Sequence, residues 1–286
     1  MYRSDIQLVA ILSLPRSGST VLTAELDRHK GVVSVPETYF TGVIECASVL
    51  GRRLDSCLPA LFAECCDAGM ILSREELAAC MNPDDWRQTL IDIGLQVARN
   101  AGRTTDHVTT VVYKTTRLVS FTKVLRMSGA KFIVLRRDPV NVFESQFRVS
   151  FGVYNRDPWR FALFRESYEA VFTTLPTAAV LAVDYRHIPV LLPDILAWIG
   201  GSNSLWQDGE SSHAMTARQP WHAGLLDGFR DSDIVKQQSL SAGRKQKLEA
   251  AMRRVTILRP LLRHARRWYD RKLAMRLLDR AGCSDS

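Results

Sequence analysis

The feature that most constrains this chain is an eight-residue turn, Ser13-Leu-Pro-Arg-Ser-Gly-Ser-Thr20, between an apolar run and a helical pattern. Residues 8–14 read LVAILSL, and behind Gly18 the segment 19–29 carries Val21, Leu22 and Leu26 at helical spacing. A strand, a turn with Gly and a helix in that order aim several backbone N–H groups at one point. The helix dipole adds positive potential there. Such a turn is an anion cradle suited to a phosphate or sulfate. Against the nucleotide pattern GxxxxGK[ST], Gly18 and Thr20 match, but Ser13 replaces the first Gly and Ser19 the Lys. A nucleoside triphosphate site wants that Lys on the outer phosphates with Mg²⁺ between them. Here the cation is Arg16, inside the loop, which suits an anion other than ATP.

Three further apolar runs have strand character: 108–113 (VTTVVY), 132–135 (FIVL) and 178–183 (AAVLAV). Near-continuous apolar runs of this length fit a parallel sheet covered on both faces. Between them, residues 84–100 place Trp86, Leu90, Ile93 and Val97 on one helix face behind Asp84 and Asp85, and 139–150 opens with Pro139. The alternation predicts an α/β, three-layer P-loop-like fold: a central parallel sheet flanked by helices. Residues 47–100 read as a helical insertion and 200–233 as a lid or binding segment. With no repeat, low-complexity tract or linker, one domain over 1–286 is the expectation.

Composition decides the partner class only in part. The formal net charge of +8 and a pI near 9.4 call for an anion, which nucleic acid, an acidic membrane or a polyphosphorylated ligand would each supply. A nucleic-acid face needs aromatics interleaved with cations. The tail has only Trp268 and Tyr269 side by side, so no nucleic-acid partner is expected. Cys46, Cys57, Cys65, Cys66, Cys80 and Cys283 form no CxxC pair and no zinc spacing, so reduced, packed thiols are expected. No signal-peptide pattern opens the chain, and no run reaches about 18 apolar residues, so the default expectation is a cytoplasmic protein without a transmembrane segment. Residues 258–281 form a basic helix. Its stripe of Leu258, Leu261, Leu262, Ala265 and Trp268 is expected to pack on the body, with contact to anionic lipid or a charged acceptor as the alternative.

A second motif is Arg136-Arg137-Asp138-Pro139, which ends a strand and starts a helix, with Ser145 eight residues after Arg137. That spacing sets Ser145 about two turns into the helix. A turn arginine and a helical hydroxyl then reach one phosphate, while Asp138 also fits a plain N-cap.

Together the two motifs resemble the sulfotransferase family. Pro15 to Thr20 is similar to its 5′-phosphosulfate loop, and Arg137 through Ser145 to its 3′-phosphate motif. Asp184-Tyr185-Arg186 and Trp198-Ile199-Gly200 echo a later segment, so that Tyr185 would lie near the adenine. The likeness runs over residues 8 to 200. It implies 3′-phosphoadenosine 5′-phosphosulfate as co-substrate, held by Arg16, Ser17, Gly18, Ser19, Thr20, Arg137, Ser145 and Tyr185, with no metal. The animal cytosolic members carry a His base after a Lys-Thr pair. This chain reads Lys114-Thr115-Thr116 there, and its Arg16 stands where they have Lys. Its pattern is closer to the carbohydrate, tyrosyl-protein and bacterial small-molecule branches.

Sulfuryl transfer is an in-line displacement in which the protein positions groups and stabilises charge. Arg16 and the loop amides are expected to stabilise the leaving phosphate, with Lys114 at a strand end facing the same crevice. In branches without the His, a Glu serves as base, and Glu37 in Val35-Pro36-Glu37-Thr38-Tyr39 is similar to it. A partly desolvated carboxylate near an anion has the raised pKa that base work needs, although a solvated loop Glu fits the same residues. The expected acceptor is a small molecule or carbohydrate. His213, His222 and Arg218 lie where an acceptor contact is conceivable, and no single His is expected to be catalytic. A phosphotransferase with a degenerate loop, which needs Mg²⁺ and an acidic ligand at a strand end, and a non-catalytic anion binder are the rivals.

Overall fold

The computed structural model describes residues 5–35, 39–67, 72–82, 84–148, 157–205 and 241–280. Five strands form one parallel sheet: β1 (Gln7–Ser13), β2 (Val32–Val35), β3 (Thr110–Thr115), β4 (Lys131–Arg136) and β5 (Val180–Asp184). Their order is β2-β3-β1-β4-β5, so β1 is central, with Ala10 opposite Tyr113 on one side and Phe132 on the other. Every residue of β1 after Gln7 is buried, as its unbroken apolar run requires. Four of these strands match the runs read from the sequence. β2 does not: its four residues, VVSV, are too short to show a period, and pairing with β3 makes them a strand.

The α-helices among the described residues are α1 (Ser19–Asp27), α2 (Phe40–Val49), α3 (Leu54–Asp67), α4 (Arg74–Cys80), α5 (Trp86–Asn100), α6 (Lys123–Met127), α7 (Pro139–Arg148), α8 (Pro158–Phe172), α9 (Ile188–Ile199), α10 (Ala242–Val255) and α11 (Arg259–Arg280). Alternating strand residues build two cores, one on each face of the sheet. Val9, Ile11, Val112 and Ile133 meet Leu22 and Leu26 of α1 and Ile195 and Leu196 of α9. Leu8, Ala10, Val111, Tyr113 and Phe132 face the larger core, with residues of α2, α5, α7 and α8. The expected helical insertion is the end of α2 with α3, α4 and α5, between β2 and β3. In it Ser73 and Glu76 form a capping box at α4, and Asp85 caps α5 by accepting from the Gln88 N–H. Gly94 lets α5 close on β3, since a Cβ there would sit 2.4 Å from Val111. Cys46, Cys57, Cys65 and Cys80 are buried thiols, not disulfide-bonded. Among the described residues, no helix is long and apolar enough to cross a membrane.

Beneath the β2 edge, Arg103 pairs with Asp27 at 2.9 Å with both side chains almost fully buried, and Asp27 also accepts from the Ser34 N–H at 2.7 Å. Saturating the carboxylate this way is what makes a buried ion pair tolerable.

The terminal helix reverses the sequence expectation. α11 buries Arg266, Asp270, Ala274 and Leu278, while Leu261 and Trp268 of the anticipated stripe are 69% and 60% exposed. Arg266 pairs with Asp270 at 2.7 Å, and its guanidinium lies 4.2 Å from the centre of the Tyr168 ring. Asp270 in turn accepts from the Ser120 N–H and hydroxyl at 3.0 and 2.7 Å. Those partners, absent from any hydropathy count, let the polar face be the inward one.

Candidate active site

Neighbouring strands deliver the singled-out residues to one edge of the sheet, the C-terminal edge where open α/β sheets bind ligands. β1 runs into the loop 14–18, β3 ends with Lys114 and Thr115, β4 is followed by Arg137, and β5 by Tyr185. In the loop, Gly18 has φ 91° and forms the left-handed N-cap of α1, and Arg16 has φ 73°. A non-glycine residue held there stores backbone strain of about 1–3 kcal/mol, a cost that clusters at ligand sites. Gly18 is required twice over. Its φ suits glycine, and a Cβ would lie 2.2 Å from the Tyr185 ring that covers it.

Side chains from distant parts of the chain then lock onto the loop. Arg16 Nε donates to Ser145 Oγ at 3.2 Å, across 129 residues of sequence. Arg137 Nη1 donates to the Arg16 carbonyl at 3.0 Å, and its guanidinium stacks 4.3 Å above the Tyr185 ring centre. Lys114 Nζ, almost fully buried, donates to Thr20 Oγ1 at 2.8 Å. Gln146 Nε2 donates to the Pro15 carbonyl at 2.8 Å. Thus Arg16, Ser17, Gly18, Ser19, Thr20, Lys114, Arg137, Ser145 and Tyr185 form one cluster. Asp138 performs the structural task as well, accepting from the Val140 and Asn141 N–H groups at the start of α7.

The electrostatics are one-sided. Burial, and after it the neighbouring Arg137, pull the pKa of Arg16 below its ordinary value. Among the described residues no carboxylate pairs with Arg16. The adjacent Arg136 behaves differently, because Glu169 holds it at 2.9 Å. Three buried side chains on the elements that flank the loop also lack hydrogen-bond partners: Ser13 at Oγ at the end of β1, and on α7 Asn141 at both Oδ1 and Nδ2 and Gln146 at Oε1. Unpaired buried polar atoms are costly and call for an occupant, water or ligand. A cation-rich cradle ringed by unspent polar groups is what an oxyanion-bearing molecule fits.

Asn141 and Gln146 escaped the sequence reading. Asn141 lies four residues before Ser145, so the shared helix face was a readable signal. Gln146 and the support behind Lys114 gave none. The strand-end loop 116–122 is held by Tyr168, whose hydroxyl donates to the Thr116 carbonyl at 2.7 Å, and by Asp270. Glu45 completes it by accepting from the Lys123 N–H at 2.6 Å. Glu37 lies outside the described residues, as do His213, His222, Arg218 and most of the expected lid. The last described residue before Glu37 is Val35, which stands in register with Tyr113 at the end of β2. Of the other histidines, His29 is buried with a pKa lowered chiefly by desolvation, while His107, His187 and His264 are exposed. No group of three or more His, Cys, Asp or Glu among the described residues is placed to hold a metal.

A parallel α/β sheet with a glycine-bearing anion loop at its C-terminal edge defines a class of phosphate- and sulfate-handling proteins. A profile described as the sulfotransferase family matches residues 9–188. The chain belongs to the sulfotransferase family. Its fold is similar to that of the sulfotransferase domain from the Synechococcus olefin synthase, with TM-score 0.50 and 21% identity over 87% of this chain and 94% of that one. A sulfotransferase from Alicyclobacillus acidocaldarius is 13% identical over 87% and 96% of the two chains, with TM-score 0.39. A mouse sulfotransferase complexed with PAP is 11% identical over 92% and 90%, with TM-score 0.41. No curated protein sequence matches the chain.

Proposed function

We propose that the protein transfers a sulfuryl group from 3′-phosphoadenosine 5′-phosphosulfate to a hydroxyl or amine of a small-molecule or carbohydrate acceptor. The observation that carries this reading is the convergence of Arg16 and Arg137 on one loop, with Ser145 bridged to Arg16 and no carboxylate among the described residues neutralising it. Two guanidinium groups held this close on one loop favour a multiply charged anion, because binding relieves their mutual repulsion.

In this reading the amides of Gly18, Ser19 and Thr20, the Ser17 side chain and the Arg16 guanidinium hold the 5′-phosphate side, while the Ser17 N–H closes the turn on the Leu14 carbonyl. Arg137 and Ser145 hold the 3′-phosphate, with Asn141 as a further donor on the same helix. Tyr185, now beneath Arg137, offers its face or edge to the adenine. Lys114 lies on the other side of the loop, against Thr20, where charge develops on the leaving oxygen. The acceptor oxygen attacks sulfur in line as the bond from sulfur to the 5′-phosphate oxygen breaks. The acceptor proton goes to Glu37, and the loop cations take up the charge of the departing 3′-phosphoadenosine 5′-phosphate. No metal is assigned a role.

The test is calorimetric binding of 3′-phosphoadenosine 5′-phosphate, without metal, to the wild type and to Arg137→Ala. Binding that the substitution weakens by about 1.5–3 kcal/mol, the scale of a charged hydrogen bond, supports donor class and motif together. A preference for ATP with Mg²⁺, or no binding, would replace this reading with phosphoryl transfer. Glu37→Gln then checks the base: turnover should collapse while donor affinity holds.

A further inference from the structure

α11 has two unlike faces. Inward, Arg266, Asp270, Ala274 and Leu278 recur every four residues and are buried against the body. Outward, Ile257 in the short turn before the helix, Leu261, Trp268 and Met275 follow at spacings of four, seven and seven. At about 100° per residue these four share one narrow stripe opposite Arg266 and Asp270. They are 83%, 69%, 60% and 36% exposed. Single exposed apolar residues need no explanation, but an aligned row of four, including a Trp, does.

The row is bordered by cations. Arg267 and Arg271 lie on one side and Lys272 and Arg276 on the other, all exposed, with Lys272 Nζ 3.8 Å from the Trp268 ring centre. Of the eight Arg and Lys in α11, Arg266 is buried with Asp270 and Arg259 pairs with Glu166, which leaves six exposed cations against the single exposed Asp279. We infer that this face docks the protein on an anionic lipid surface, with the helix axis in the plane of the interface. The apolar stripe enters between headgroups, Trp268 sits at headgroup depth, and the long basic side chains reach the lipid phosphates. A second copy of this chain is a poor occupant. Facing two such stripes sets Arg267, Arg271, Lys272 and Arg276 of one against the same cations of the other, with only Asp279 to offset them. The net charge of +8 adds to that repulsion. The inference is independent of the donor site, which the stripe does not touch.

The experiment is co-sedimentation of the full chain with vesicles of phosphatidylcholine alone, and of phosphatidylcholine and phosphatidylglycerol in equal parts. The wild type should pellet with the anionic vesicles only, and less so as salt is raised to physiological strength. Leu261→Ser with Trp268→Ser should abolish binding. Arg267→Glu with Arg271→Glu should weaken it by at least about fivefold per site. Both variants change exposed side chains and should keep the wild-type thermal transition. Equal pelleting of wild type and both variants, or none on anionic vesicles at low salt, overturns the inference. So does a sedimentation-equilibrium dimer that Leu261→Ser with Trp268→Ser dissociates, which would assign the face to a second copy.

Discussion

Arg16 couples a strained backbone to a charged side chain, and two substitutions separate those effects. Arg16→Ala and Arg16→Gly both delete the guanidinium and its bond to Ser145. Only the second suits a φ of 73°. A non-glycine residue in the left-handed region costs about 1–2 kcal/mol. Glycine gives back about 0.5–1 kcal/mol through the entropy of the unfolded chain. Arg16→Gly should therefore be more stable than Arg16→Ala by about 0.5–1 kcal/mol. With a urea dependence of about 3 kcal/mol per molar, the midpoints should differ by roughly 0.2–0.3 M. Against the wild type, losing a hydrogen bond of about 1 kcal/mol is offset by relief of the contact with Arg137. Calorimetry should show both variants binding 3′-phosphoadenosine 5′-phosphate about 10- to 150-fold more weakly, the equivalent of 1.5–3 kcal/mol. Equal stability of the two variants would refute the strain argument. A binding loss confined to one would show that loop conformation, not the guanidinium, holds the anion.

Three other outcomes follow from the packing. Gly94→Ala should destabilise by about 1–3 kcal/mol in urea melts, because the Cβ would meet Val111 at 2.4 Å and overpacking outweighs the roughly 1 kcal/mol gain in helix propensity. Asp270→Ala strands the buried Arg266 and should cost about 3–5 kcal/mol, whereas Arg266→Met with Asp270→Leu should recover most of it; equal losses in the single and double variants would contradict the pair. Burial raises the pKa of Glu45 above the ordinary 4.5, against the lowering effect of the Lys123 and Val124 N–H groups. The native state then binds the proton more tightly than the unfolded chain, so the stabilising contribution is full below about pH 4.5 and is lost as pH rises through the folded value. Glu45→Gln should flatten that part of the stability–pH curve, and an unchanged slope would exclude Glu45 as its source.

The glycine turn after β1, the four longer strands and the arginine motif were legible because each is written in adjacent residues. A strand, a Gly turn and a helix follow one another, and Asp138-Pro139 marks a helix start. β2 was not legible, since four residues carry no period and its identity depends on pairing with β3. The wrong face was assigned to α11 for a related reason. Counting apolar residues selects Leu261 and Trp268, but burial followed the partners that Arg266 and Asp270 find in Tyr168 and Ser120.

Local order along the chain thus determined the fold class and the family, and marked the residues proposed above to bind an anion, because steric preference and hydrophobic periodicity act between near neighbours. Tertiary structure alone decided that Arg16 meets Ser145, that Arg137 stacks on Tyr185 above Gly18, and that the terminal helix turns its apolar stripe to solvent. Those contacts join residues far apart in sequence, and their energies depend on desolvation and geometry that exist only once the sheet has brought its strand ends together.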